Sequence, residues 1–382
     1  MPTRQHLVTY GVSTAAAATI TVAALLQPWR GDAIEGINGP GPAPVRAEHA
    51  VDVVFAVDTT GSMGGLIEGA KRTVWSIATH IRKADPDAQL RIGLVAYRDI
   101  GDDYVTRDFA LTTDLDAVFA ELSSYRAAGG GDTPEDVDAA LDDTLHKMQW
   151  RDGAKKLVFL VGDAPPASRG EVPRFDALAR EAGERQIVLN TIRCGWDPDT
   201  ERAWQQIADL GHGQFSTIQQ DGGVQQIATP YDDRIADLSA RVDATAVIVG
   251  DEGERRAYEH AMAVAADAPA PAKADRAAYY TAKAAKGRGG GARADKDLVG
   301  GVASGTMALD DVAPGALPEE LRGMDRPALE KEIQRRAELR KQAQEELARL
   351  TRQRDEYLAA QARTGEGGFD AKVKAAIDLQ LQ

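Results

Sequence analysis

Six short apolar runs punctuate the middle of the chain, at 51–57, 90–97, 105–111, 156–162, 187–193 and 214–218. The four long ones, 51–57, 90–97, 156–162 and 187–193, are nearly continuous in Val, Ile, Leu and Phe. That is the pattern of parallel strands covered on both faces. Between the runs the apolar positions recur at helical spacing. Residues 64–83 place Leu66, Ala70, Val74, Ile77 and Ile81 on one stripe, repeating about every 3.6 residues. Further helices are expected over 115–125, 135–148, 174–184 and 200–210. Thr133, Pro134, Glu135 and Asp136 read as a helix start: a hydroxyl, a proline at the first position and acids in the first turn. Strands alternating with helices predict an α/β fold, a doubly wound and mostly parallel six-stranded sheet with right-handed crossovers. The run at 105–111 follows 90–97 with no helix between them, so it must return antiparallel, at an edge.

The flanks differ. After about Gly250 the strand pattern stops, and Ala, Pro, Lys and Gly dominate 263–297. Residues 251–316 therefore read as a linker, most flexible at the glycines of 287–291. No strand precedes those glycines and no Gly-Lys-Ser/Thr ends them, which argues against a phosphate-cradling loop. Residues 317–382 form a charged helical extension. Ile333, Leu347, Leu350 and Tyr357 lie on one seam, which Arg336, Arg340 and Arg354 interrupt. A self-associating coiled coil, a helix folded back on its own domain and a hairpin with a last helix at 369–381 all fit. At the other end, Arg4 precedes an uncharged stretch, 7–26, rich in Ala, Val, Leu and Ile. Residues 1–27 read as an export signal or an uncleaved membrane anchor, and 28–50 as a Gly/Pro/Ala linker. Either route places the domain at 51–250 outside the cytoplasm: in the periplasm, in the cell envelope or outside the cell.

Net charge is −14, which argues against nucleic acid as a partner, because phosphate recognition needs basic patches. Cys194 is the only cysteine, so no internal disulfide forms; at the end of an apolar run it is expected to be a buried thiol. The six histidines (His6, His49, His80, His146, His212 and His260) are scattered. No nucleophile–base pair emerges, and an enzyme is not expected.

The candidate chemistry lies where strands end. The run 51–57 passes directly into Asp58, then Thr60 and Ser62 at alternate positions. Thr133 and Asp163 follow later elements. In a parallel sheet these positions share one edge, where ligands bind. Each piece alone is an ordinary cap or turn; all five in order suggest a hard-cation site. The donors are all oxygen, which favours Mg²⁺, with Mn²⁺ or Ca²⁺ able to substitute.

This set resembles the metal-ion-dependent adhesion site (MIDAS) of von Willebrand factor type A domains. The resemblance implies that Asp58, Thr60, Ser62, Thr133 and Asp163 hold the ion and leave one position for an Asp or Glu carboxylate on a protein partner. Thr60 stands where many members carry Ser; the hydroxyl is retained. The stretches 93–104 and 129–136 look like the bacterial exported branch, and like the type A domain attached to certain alpha-type kinases. No kinase motif accompanies them here. Asp99, Asp102 and Asp103 follow the second strand and fall on the same edge; a solvated acidic turn is expected there, with rimming or tuning the site as the alternative. In this superfamily the last helix of the domain can shift, and residues 223–241 are expected in that place. The function expected is a metal-dependent binding module. A scaffold oligomerised by its C-terminal helices and a Mg²⁺-assisted hydrolase are the alternatives.

Overall fold

The computed structural model describes residues 49–131, 134–167, 172–223, 227–284, 296–361 and 368–381. The expected signal or anchor at 1–27, nearly all of the linker at 28–50, the glycines of 287–291 and Thr133 lie outside them. Among the described residues no helix is long and apolar enough to cross a membrane.

The strands are β1 (Ala50–Asp58), β2 (Gln89–Tyr97), β3 (Thr106–Thr112), β4 (Lys155–Gly162), β5 (Ile187–Cys194) and β6 (His212–Ile218). They form one sheet in the order β3-β2-β1-β4-β5-β6. Every neighbouring pair is parallel except β2 and β3, so the antiparallel strand is at the edge, as expected. The interleaved helices are α1 (Gly64–Ala84), α2 (Leu115–Ser124), α3 (Val137–His146), α4 (Phe175–Glu184) and α5 (Pro198–Leu210). The central strand β1 is buried along its whole length. Its odd positions, Val51 to Val57, meet α1 and α2, and its even ones, Val54 and Ala56, meet α3, α4 and α5. That double covering is why its sequence is almost unbroken in apolar residues.

Beyond the sheet come α6 (Asp232–Asp243), α7 (Glu252–Asp267), α8 (Ala270–Ala284), α9 (Leu298–Ser304), α10 (Glu319–Arg322), α11 (Arg326–Gln361) and α12 (Phe369–Gln380). The linker expected over 251–316 is corrected here. Its alanines are helix-forming and many are buried, Ala261, Ala265, Ala272, Ala274 and Ala277 among them. Tyr279 and Tyr280 of α8 pack on Trp75 of α1, with ring centroids 6.0 and 5.8 Å apart. Asp251 and Glu254 close a capping box at the start of α7, a signal present in the sequence. The expected boundary at Gly250 does not exist either: Val45–Gln382 is a single unit.

The coiled-coil expectation gives way to the fold-back alternative. α11 lies along α6, α8 and α9, and Leu347 and Leu350 are buried among α6 and α8. Two of the arginines that interrupt its seam are the anchors. Arg354 bonds Asp232 and Asp275, each at 2.7 Å, and Arg340 pairs with Asp297 and with Thr245 Oγ1. The place expected for 223–241 is also corrected. α6 packs away from the sheet, and α12 lies beside α1 and the ends of β5 and β6. Phe369, Val373 and Ile377 enter the main core, and the Phe369 ring sits 6.1 Å from Phe55.

Candidate metal centre

Asp58 ends β1 and is fully buried. Its Oδ1 accepts two hydrogen bonds from Thr60, from the backbone N–H at 2.8 Å and from Oγ1 at 2.7 Å. The Thr60 and Ser62 hydroxyls lie 3.3 Å apart. Thr60 is extended and a short 3₁₀ turn, Gly61–Met63, leads into α1. The alternate spacing therefore turns Asp58, Thr60 and Ser62 to one side. Thr59, between them, goes to the other: its N–H and hydroxyl donate to Tyr97 O, and Arg98 and Tyr104 bond its side chain. Ser62 is exposed, so the group runs from a buried floor to an open mouth.

Asp163 follows β4, the neighbour of β1. Its Oδ2 accepts from Gln220 Nε2 at 2.5 Å, and its carbonyl accepts from Thr200 Oγ1 at 3.2 Å. Burial first, then the nearby Asp163 charge, push the Asp58 carboxyl up to about 7, although the Thr60 bonds oppose them. The structure thus brings together Asp58, Thr60, Ser62 and Asp163. Thr133 lies outside the described residues. The loop before it is stitched to the centre: Gly61 N donates to Gly129 O, Ala128 N to Thr59 O, and Gly130 N to Asp102 Oδ2 at 3.0 Å. Gly130 has φ +71, and a Cβ there would come within 2.9 Å of Thr60 Cβ, so glycine lets this loop close on the site. Asp102 is thereby a loop anchor, and Asp103 is exposed beside Arg98 at 3.6 Å.

One group was missed from sequence. The sequence pattern puts Glu135 in the first turn of a helix, but α3 begins at Val137, capped by Asp136. Glu135 is extended and bridges to Pro166, donating its N–H to Pro165 O and accepting from Ala167 N. Its side chain is 4% exposed and sits beside the Thr60–Gly130 contact. Burial first, then the charges of Asp58, Asp99, Asp102 and Asp163, push it up to about 8. Only a bridge between two loops far apart in sequence carries it there, and no local spacing signals that.

The donors fit a hard divalent cation. Asp58 Oδ2 and Glu135 Oε2 are buried and have no hydrogen-bond partner among the described residues, a costly state for a carboxylate that a cation would relieve. No three His, Cys, Asp or Glu side chains among the described residues form a metal cage, so an ion here depends on the hydroxyls. Cys194 is buried, as expected. Burial above all raises its pKa well above the ordinary thiol value, and it is no candidate ligand or nucleophile.

Comparisons with known proteins bear on the family. Residues 52–230 match the family model of the von Willebrand factor type A domain. The alpha-protein kinase vwkA of Dictyostelium discoideum is 32% identical over 124 residues, 32% of this chain and 19% of the kinase. The von Willebrand factor A domain-containing protein 7 of Rattus norvegicus is 33% identical over 143 residues, 37% of this chain and 15% of that protein. The chain thus spans less than a fifth of either relative. Among solved structures, BatB from Bacteroides thetaiotaomicron matches 44% of this chain and 90% of its own, at 16% identity and TM-score 0.35. Proximal thread matrix protein 1 of the mussel byssus, with a zinc-occupied MIDAS motif, matches 44% of this chain and 41% of its own, at 17% identity and TM-score 0.36. Strand order, the exit of β1 through Asp58, Thr60 and Ser62, and the family match converge: residues 52–230 of this chain are a von Willebrand factor type A domain.

Proposed function

We propose that this chain is an exported, non-catalytic binding protein that docks a partner's Asp or Glu carboxylate through a divalent cation, Mg²⁺ by preference. The observation that carries this reading is Asp58 Oδ2, buried with no partner among the described residues beside the hydroxyls of Thr60 and Ser62. Asp58, Thr60, Ser62 and Asp163, with Thr133, would hold the ion. Two carboxylates and three hydroxyls leave such an ion electrophilic, and a partner carboxylate supplies what the site lacks. Type A domains are typically protein-interaction modules, which agrees. Three of the described histidines are engaged with acids away from the metal face: His49 with Asp85, His80 with Asp378, and His146 with Asp142 and Glu181.

Calorimetry on the chain from residue 45 onward tests the metal. One site for Mg²⁺ or Mn²⁺ is expected, and zinc, the ion in the mussel protein, is the competitor to measure. No heat with either ion, on a folded sample, would overturn the reading. Export rests on Arg4 and the uncharged 7–26 stretch. Fractionation with N-terminal sequencing tests it: full-length chain in the cytosol refutes it, and a membrane-bound chain with residue 1 intact selects the anchor.

A further inference from the structure

Among the described residues, the most exposed large apolar side chain stands on the metal edge. Trp196 is 88% exposed, in the turn between β5 and α5. Its backbone holds it outward. Gly195 adopts φ +71 and donates its N–H to Ile218 O at 3.2 Å, and a side chain at 195 would run into Gln220. The Arg193 guanidinium lies 6.0 Å from the indole centroid. It is itself buried and fixed by Glu201 at 2.6 Å and by Asp197 O at 3.1 Å. Gln220 ties this turn to the metal centre through its bond to Asp163. Trp196 also lines a cleft of about 710 Å³, bounded by Gly65, Arg72 and Lys372 as well as by Glu68 and Asp221.

Single exposed apolar residues are common on surfaces. Trp196 differs in place and in rigidity. β5 is the strand next to β4, so Trp196 and Asp163 leave the sheet one strand apart, about 4.8 Å at the edge. Carboxylates crowd the vicinity: Asp163, Asp197, Asp199, Glu201 and Asp221. An anionic lipid surface would be repelled here. Arg72 and Lys372 in the cleft offset part of that charge, and at the exposed indole itself the contact a partner makes is apolar.

We propose that the Trp196 indole, beside this polar cleft, forms the apolar half of a two-part docking face. The partner is an extended protein segment. Its Asp or Glu takes the open position on the cation, and an aromatic or long aliphatic side chain two or three positions along packs on the indole. Two residues of extended chain span about 6.6 Å, which suits the step from one strand end to the next. Rigid indoles in such settings carry a large share of interface energy. This inference rests on the carboxylate docking proposed above.

The test is a displayed library of random peptides with one fixed central Asp, selected on the full chain with Mg²⁺. The selected peptides are expected to carry Trp, Tyr, Phe or Leu two or three positions from the Asp. Trp196→Ala should weaken the best synthetic peptide by about tenfold or more while the Mg²⁺ isotherm stays unchanged. In the parent chain that peptide should shield Trp196 from acrylamide quenching. Asp-dependent peptides with no apolar preference, or with equal affinity for Trp196→Ala, would overturn the apolar anchor and leave carboxylate docking standing. Failure of any peptide to bind in a Mg²⁺-dependent way would overturn carboxylate docking, and the anchor with it.

Discussion

In Asp58 one carboxylate oxygen is committed and the other is not. Oδ1 has two donors from Thr60; Oδ2 has none among the described residues. The fold therefore carries a group whose ionised form is costly without a cation. Asp58→Asn should abolish Mg²⁺ binding and raise the melting temperature of chelated protein, because it removes a buried charge and keeps the shape; differential scanning fluorimetry with and without chelator checks both. The pH dependence follows. The Asp58 carboxyl moves from 3.8 to about 7, and Glu135 from 4.5 to about 8. Across that window the folded, metal-free chain keeps protons that the unfolded chain has released, so these groups make stability fall as pH rises. Chelated protein is expected to melt lower at about pH 8 than at about pH 5, with saturating Mg²⁺ shrinking the difference and Asp58→Asn removing part of the slope. Asp58, Thr60 and Ser62 were legible in sequence because one strand end carries all three at alternate positions. Glu135 was not, because its place depends on the bridge to Pro166.

At the level of elements, α11 shows how charge can mark burial. Arg340 and Arg354 look like defects in a heptad seam, yet both are buried and paired with aspartates. Arg354→Ala would leave Asp232 and Asp275 facing each other with no cation, and should cost about 3–5 kcal/mol in a urea titration. Arg335→Ala, on the exposed side of the same helix, should cost under about 1 kcal/mol. Phe369→Ala on α12 should cost about 3–5 kcal/mol, since the ring fills the core beside Phe55. The four inner strands, β2, β1, β4 and β5, were readable to within two residues because each is apolar on both faces. The packing of α7, α8 and α11 was not, because alanine and arginine register as linker or surface until a partner helix is known.

For the whole molecule, the sheet domain is not finished at Gly250. α12 covers part of the face on which α1 lies, and α7 and α8 pack outside α2 and α1. A chain ending near Gly250 should expose that face, bind ANS and lose cooperative unfolding, whereas the chain from residue 45 to 382 should unfold in one transition. The architecture of the sheet was evident from the alternation of runs and helices. Which distant helix completes it was not, because the sequence of α12 is amphipathic in the same way as many surface helices.

The position of α12 also bears on how the protein is made. Domains commonly fold from the N-terminus as they leave the ribosome. Here the core face of β1, at Ala50–Asp58, is covered in part by Phe369 of α12, so that face is not complete until synthesis has passed that helix. A nascent or prematurely stopped chain would carry the whole sequence of the metal loops and still lack a stable platform for them. Ion binding would then report that a molecule has been completed, and truncated products would be removed by proteolysis before they could compete for the partner.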